Sequence, residues 1–102
     1  MKNDPSDKAA PVVLKGERVI LKGRVDIESA PALQEALIVL LRSPVPEARV
    51  ETAGLTGVDA AVLQLLYSAQ ESFHQLGRRL ILPSPSPVLR ERNQRLGDLL
   101  RL

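Results

Sequence analysis

The chain has 102 residues, a formal net charge of +2, no cysteine and a single histidine. The absence of cysteine excludes disulfides, thiolate catalysis and thiolate metal sites, and one histidine excludes any site that needs two imidazoles from this chain. The small net charge and an aromatic content of 2% argue against nucleic-acid binding, because the chain offers neither a strong basic surface nor a platform for stacking bases.

The N-terminal segment is polar and contains two prolines, which predicts a disordered arm over residues 1–11 in front of one domain over residues 12–102. The segment lacks the apolar core of a signal peptide. No apolar run approaches the roughly 20 residues of a membrane-spanning helix. We therefore expect a soluble, cytoplasmic protein without direct membrane insertion.

Two strands are predicted first, over Val12–Lys15 and Arg18–Val25. The intervening Gly16-Glu17 places glycine at the first central position of a two-residue turn, which is the signature of a type II′ hairpin. Five further elements follow: a helix from about Ser29 to Arg42, a strand over Ala48–Ala53, a helix from Asp59 to Gly77, a strand over Leu80–Leu82 and a helix from about Pro87 towards Leu102. Helices between the later strands require crossover connections, so the order β-β-α-β-α-β-α predicts an α/β domain with a mainly parallel sheet.

The helix starts carry recognisable signals. Ser29 is predicted to cap the first helix, Asp59 the second, and Ser86 the third with Pro87 at its first position. Thr56-Gly57 is predicted to form a tight turn before Asp59, in which glycine adopts a positive φ. For Asp59, a purely structural N-cap role and a role in an interface both remain open. Asp26 is expected to be an exposed strand-end carboxylate, with a phosphate- or metal-positioning role as the alternative.

Four segments together resemble the STAS domain, the family of the anti-sigma-factor antagonists. Residues 26–33 resemble the family segment LDISTAPEL, and Glu51, Gly54, Thr56, Asp59 and Leu63 fall in register with LDLSGVTFIDSSGL. Residues 77–80 and 83–87 are similar to parts of a third family segment, GGRLRLVNPSP. The resemblance covers residues 12–102 and implies a small STAS-like (SpoIIaa-like) fold, with helices packed on a mixed, mainly parallel sheet.

Two departures from the family pattern bear on function. Ala61 stands where switch-type members carry a serine that a partner kinase phosphorylates, and Ala60 stands where lipid-transport-associated members often carry a threonine. Because alanine has no hydroxyl, neither position can accept a phosphoryl group. The second departure is Arg92-Asn93 in place of an apolar pair, and we expect this turn of the last helix to be lifted into solvent or to face a partner.

The resemblance implies a non-catalytic protein–protein interaction module of a bacterial regulatory system, locked in a non-phosphorylatable form. Its expected partner is an anti-sigma factor or a kinase-like ATPase. The expected binding surface consists of Asp26, Ser29, Thr56, Asp59, Ala60, Ala61, Leu63, Ser84 and Ser86.

The alternative is a STAS subunit of a phospholipid-transport ABC complex, bound to the transporter ATPase. A nucleotide binder is disfavoured because residues 54–57 lack the lysine of a P-loop. No nucleophile, base and oxyanion donor occur together, so neither enzymatic activity nor a cofactor or metal is expected. A homodimer is left open.

Overall fold

The computed structural model describes residues 10–102. Its four strands are β1 (Val12–Lys15), β2 (Arg18–Val25), β3 (Glu47–Val58) and β4 (Arg79–Ile81), and its α-helices are α1 (Ala30–Arg42), α2 (Ala60–Gln75) and α3 (Pro87–Arg95). A 3-10 turn over Ile27–Ser29 precedes α1. The strands form one sheet in the order β1-β2-β3-β4, with β1 antiparallel to β2 and the other two pairs parallel. The predicted fold class and element order are confirmed.

The predicted hairpin is present, with Gly16 at φ +62° in the turn between β1 and β2. Pairing with β2 begins one residue before β1, because the Lys22 N–H donates to the Pro11 carbonyl at 3.0 Å. The predicted arm therefore does not include Pro11. Residues 1–9 of the predicted arm lie outside the described residues.

One continuous core lies between the sheet and the helices. Its fully buried aliphatic side chains include Val19 and Leu21 of β2, Leu33 and Leu40 of α1, and Leu66 of α2. Each such side chain contributes roughly 1.5–3 kcal/mol when it leaves water. Helices α1 and α2 pack against each other, and α3 packs against β3. This packing holds the strand ends and the starts of α2 and α3 in fixed positions.

The prediction of a tight turn at Thr56-Gly57 is wrong. Strand β3 continues through these residues to Val58, and neither Gly54 nor Gly57 has a positive φ. The positive φ occurs instead at Gly23 in β2, at +66°. The β2–β3 register shifts between Ile20 and Lys22 and again between Gly23 and Arg24. The sheet thus accommodates its irregularity in β2, where glycine tolerates the left-handed conformation.

Helix α3 ends at Arg95, so the prediction that it runs towards Leu102 is wrong. Gly97 and Asp98 both have positive φ, at +91° and +58°, and they turn the chain back towards the domain. Asn93 is 3% exposed and holds the returning segment: its Oδ1 accepts the Leu100 N–H at 2.8 Å and its Nδ2 donates to the Leu100 carbonyl at 3.3 Å. Asn93 is therefore neither lifted into solvent nor free to face a partner.

Arg78, which follows the turn at the end of α2, lies against the end of α1 rather than in solvent. Its guanidinium is half-buried and donates to the carbonyls of Leu40, Leu41, Ser43 and Val45, at 2.6–3.1 Å. Its Cζ also lies 4.5 Å from the centre of the Phe73 ring. Arg78 thus donates to carbonyls at and just after the end of α1 rather than to those at the end of α2.

Candidate protein-interaction surface

The candidate surface lies where the parallel strands β2 and β3 end side by side. Val25 of β2 is paired with Val58 of β3, so the next residues, Asp26 and Asp59, lie at the same edge of the sheet. Each has an extended backbone and starts a helical segment: Asp26 accepts the Glu28 N–H at 3.1 Å, and Asp59 accepts the Val62 N–H at 3.2 Å. The N-cap role predicted for Asp59 is confirmed.

Asp59 also connects the two helical segments. Its second carboxylate oxygen, Oδ2, accepts the backbone N–H of Ile27 at 2.9 Å. One carboxylate therefore satisfies free N–H groups of two helical starts that come from different parts of the chain. This arrangement fixes the 3-10 turn relative to α2.

Asp26 takes the capping role that was predicted for Ser29. Ser29 has φ −91° and ψ −5° and makes no side-chain capping bond, because the 3-10 turn places it inside the helical segment. Asp26 is half-buried, and the Arg24 Nε lies 3.6 Å from its Oδ2. Asp26, predicted to be an exposed strand-end carboxylate, is therefore half-buried and serves as a capping and ion-paired residue.

The outer face of this corner is small and partly apolar. Ile27 is 65% exposed, Thr56 and Ala60 are exposed, and Ala61 is half-buried in the first turn of α2. We define the docking corner as Asp26, Ile27, Thr56, Asp59, Ala60 and Ala61. Ile27 is the most exposed large apolar side chain within residues 10–102, ahead of Leu76 at 59%.

Leu63 and Ser86 do not belong to this outer face. Leu63 is fully buried in the core and Ser86 is 3% exposed, so the prediction of surface contacts by their side chains requires correction. The Ser86 hydroxyl instead caps α3 by accepting the Leu89 N–H at 3.2 Å, as its N-cap signal predicted.

The exposed Ser84 lies away from the docking corner. Its loop is fixed at the middle of β3, where the Ser86 N–H donates to Thr52 Oγ1 at 3.3 Å, whereas Asp59 follows the last residue of β3. We therefore leave Ser84 out of the docking corner.

A cavity of about 300 Å³ adjoins the docking corner between the strand ends and α3. Its charged lining consists of Arg24, Asp26, Asp59, Glu91, Arg92 and Arg95. The α3 residues in this set were not predicted as site residues. The available signal was the charged run over residues 90–95, in which Arg92-Asn93 stands in place of an apolar pair of the resembled family.

Metal-ligand clusters and membrane-spanning helices are both absent from residues 10–102. No group of three or more metal-ligating side chains is placed to hold an ion in that part of the chain. None of the helices described there combines the length and the apolar character needed to span a membrane.

Two solved structures are similar in fold. SpoIIAA, an anti-sigma-factor antagonist in its unphosphorylated form, is 20% identical with a TM-score of 0.63, and the match covers 80% of this chain and 77% of SpoIIAA. A crystal structure of Mglu is 23% identical with a TM-score of 0.60, over 86% of this chain. The matched part is only 23% of the Mglu chain. At these identities the likeness concerns the fold alone.

The sequence comparisons give one match. No curated protein matches the chain in sequence. The family model STAS_2, described as Mlab, STAS domain, matches residues 12–97. Since this match spans most of the chain, the protein belongs to the STAS_2 family of STAS domains.

Proposed function

We propose that the protein is a non-catalytic protein–protein interaction module of a bacterial regulatory system, and that a partner binds at the docking corner. The observation that carries the proposal is the corner itself. It is held rigid by the two hydrogen bonds to Asp59, and it presents Ile27 beside the small side chains at the start of α2. Preorganised apolar side chains with small neighbours let a partner approach the backbone closely.

The proposed module works without a phosphorylation switch at the start of α2. Ala60 and Ala61 have no hydroxyl, so no kinase can add there the roughly −1.5 to −2 charges that a phosphate would bring. The start of α2 would therefore stay permanently unphosphorylated. By resemblance to anti-sigma-factor antagonists, and supported by the fold shared with unphosphorylated SpoIIAA, the partner is an anti-sigma factor or a kinase-like ATPase.

A second candidate is a STAS subunit of a phospholipid-transport ABC complex, bound to the transporter ATPase. The observation that favours it is that the matching family model is described by Mlab rather than by an anti-sigma-factor antagonist. The two candidates share the docking corner and differ in the partner that it binds.

The test is capture of partners from an extract of the source cells by the tagged full-length chain. Ala60→Glu and Ala61→Glu place a carboxylate at the corner, where it lies close to Asp59 and projects towards an approaching partner. An acidic side chain in the first turn suits the helix dipole, so we expect both variants to fold. We expect the yield of the captured partner to fall at least about tenfold, a loss typical of a disrupted interface centre.

The matched control is Gln75→Glu, an exposed position at the other end of α2. It adds the same charge about 22 Å away along the helix. Mass spectrometry of the captured protein distinguishes a sigma-factor regulator from a transporter ATPase. Equal capture by wild type and both corner variants would show that this surface is wrong.

A further inference from the structure

We propose that the cavity beside the docking corner receives one acidic side chain, aspartate or glutamate, from the protein partner, and that Arg92 is the cation that binds it. This inference deepens the proposed function and rests on it, since it states what chemistry the partner presents. Two observations carry it. Arg92 has no ion-pair partner within residues 10–102, and the other charged side chains of the cavity already have partners.

Arg92 is the uncompensated charge. It is half-buried and lines the cavity. None of the ion pairs within residues 10–102 includes it, and its Nε is buried without a hydrogen-bond partner there. A guanidinium N–H that is removed from water without an acceptor is unfavourable. A carboxylate that enters the cavity would give the Arg92 guanidinium the ionic partner that it lacks within residues 10–102.

The other charged groups of the cavity already have partners. Arg24 lies 3.6 Å from Asp26, and Arg95 lies 3.3 Å from Glu91. Both oxygens of Asp59 accept backbone N–H groups. Arg92 is therefore the group whose charge is left for a ligand.

The charge balance selects the kind of anion. The lining has three arginines and three carboxylates, so its formal charge is zero. A phosphate would bring nearly two negative charges beside three carboxylates, whereas a carboxylate brings only one. A single acidic side chain compensates Arg92 with the least repulsion.

The position and the sequence agree with this role. Gly57, Val58 and Asp59 belong to the cavity, so an occupant would lie against the docking corner. Of the two polar residues that replace the family's apolar pair, Asn93 is accounted for by its bonds to Leu100. Arg92 makes no comparable contact within residues 10–102, and ligand binding gives it a function.

The direct test is a titration of the ¹⁵N-labelled full-length chain, observed at the arginine Nε–Hε signals by NMR. The probe is N-acetyl-glutamate α-amide, which carries one side-chain carboxylate, and N-acetyl-glutamine amide is the neutral control at equal ionic strength. We expect the carboxylate probe to shift the Arg92 signal saturably. The signal of Arg90, which is exposed in the same helix and does not line the cavity, should remain in place.

Arg92→Gln identifies the signal, because the variant lacks it. Equal responses to the two probes would overturn the proposal. A third arm uses inorganic phosphate: saturation at a tenfold lower concentration than the carboxylate probe would mean a phosphate site, and would overturn the proposal as well.

The capture assay separates this inference from the proposed function. Arg92→Gln should lower partner capture about tenfold, the effect of losing one charge-assisted contact, and Arg90→Gln should leave capture unchanged. If Ala60→Glu abolishes capture but Arg92→Gln does not lower it, partner binding at the docking corner is supported. The proposal that Arg92 binds an acidic side chain of the partner is then refuted. If Ala60→Glu has no effect, the proposed function fails, and the NMR titration still decides whether the cavity binds a carboxylate.

Discussion

Asp59 and Ile27 lie 32 positions apart in the chain and are joined by a 2.9 Å hydrogen bond from the Ile27 backbone N–H to the Asp59 carboxylate. The same carboxylate caps α2, so two helical starts depend on one side chain. This bond gives the docking corner its shape.

Replacing Asp59 by alanine should remove both hydrogen bonds and lower the free energy of unfolding by about 2 kcal/mol. Asp59→Asn keeps one acceptor oxygen and should lose about half as much. Urea denaturation of the two variants measures the difference. A loss below about 0.5 kcal/mol for alanine would contradict the bridging role.

Replacing Arg78 by methionine should lower the free energy of unfolding by about 3 kcal/mol. The variant leaves carbonyls at the end of α1 without their donor and removes the contact with Phe73. Arg79→Met is the matched control, because Arg79 is exposed and has only a 3.4 Å ion pair with Glu47, a type of contact that contributes about 0–1 kcal/mol. Similar losses in the two variants would refute the capping role of Arg78.

The segment after α3 is held by two buried amide side chains. Gln70 accepts the Arg101 N–H at 3.0 Å, and Asn93 accepts the Leu100 N–H at 2.8 Å. Gln70→Leu should therefore speed amide hydrogen exchange most at Arg101, and Asn93→Leu most at Leu100, each by at least about tenfold. Wild-type exchange rates in both variants would show that these bonds do not hold the segment.

Gly23→Ala should destabilise the sheet by about 1–2 kcal/mol, because Gly23 has φ +66° and alanine resists that conformation. Gly54→Ala is the matched control in the neighbouring strand. Its φ is not positive, and a Cβ there would meet its nearest atom, Lys22 Cγ, at an ordinary 3.6 Å. We expect it to be neutral within about 0.5 kcal/mol. Thermal or urea unfolding checks both, and equal losses would contradict the assignment of the strain to Gly23.

Local patterns were sufficient for most of the architecture. The alternation in β2, the glycine of the first turn and the caps at Asp59 and Ser86 each act within a few residues, and the structure has all of them. Gly57 was misread because glycine commonly marks turns, whereas here it lies in a strand that extends to Val58. Two neighbouring cap signals, Asp26 and Ser29, compete in sequence, and only the folded 3-10 turn selects Asp26.

The missed features depend on contacts between distant segments. Asn93 is a polar residue in a short helix, and its burial requires the chain to return after Gly97. Arg78 finds its acceptors at the end of a helix more than 30 positions earlier. The cavity around Arg92 forms only where α3 lies beside the ends of β2 and β3. Sequence periodicity does not encode such placements.

The lengths of the strands bear on how the protein behaves when it is concentrated. The two edge strands, β1 and β4, have four and three residues, whereas the inner strands, β2 and β3, have eight and twelve. Unpaired backbone at a long sheet edge invites strand addition and aggregation between copies. The short β1 and β4 themselves offer another copy little edge to extend, but β4 pairs only with residues 47–49 of β3, so the later residues of β3 have no strand beyond them on that side.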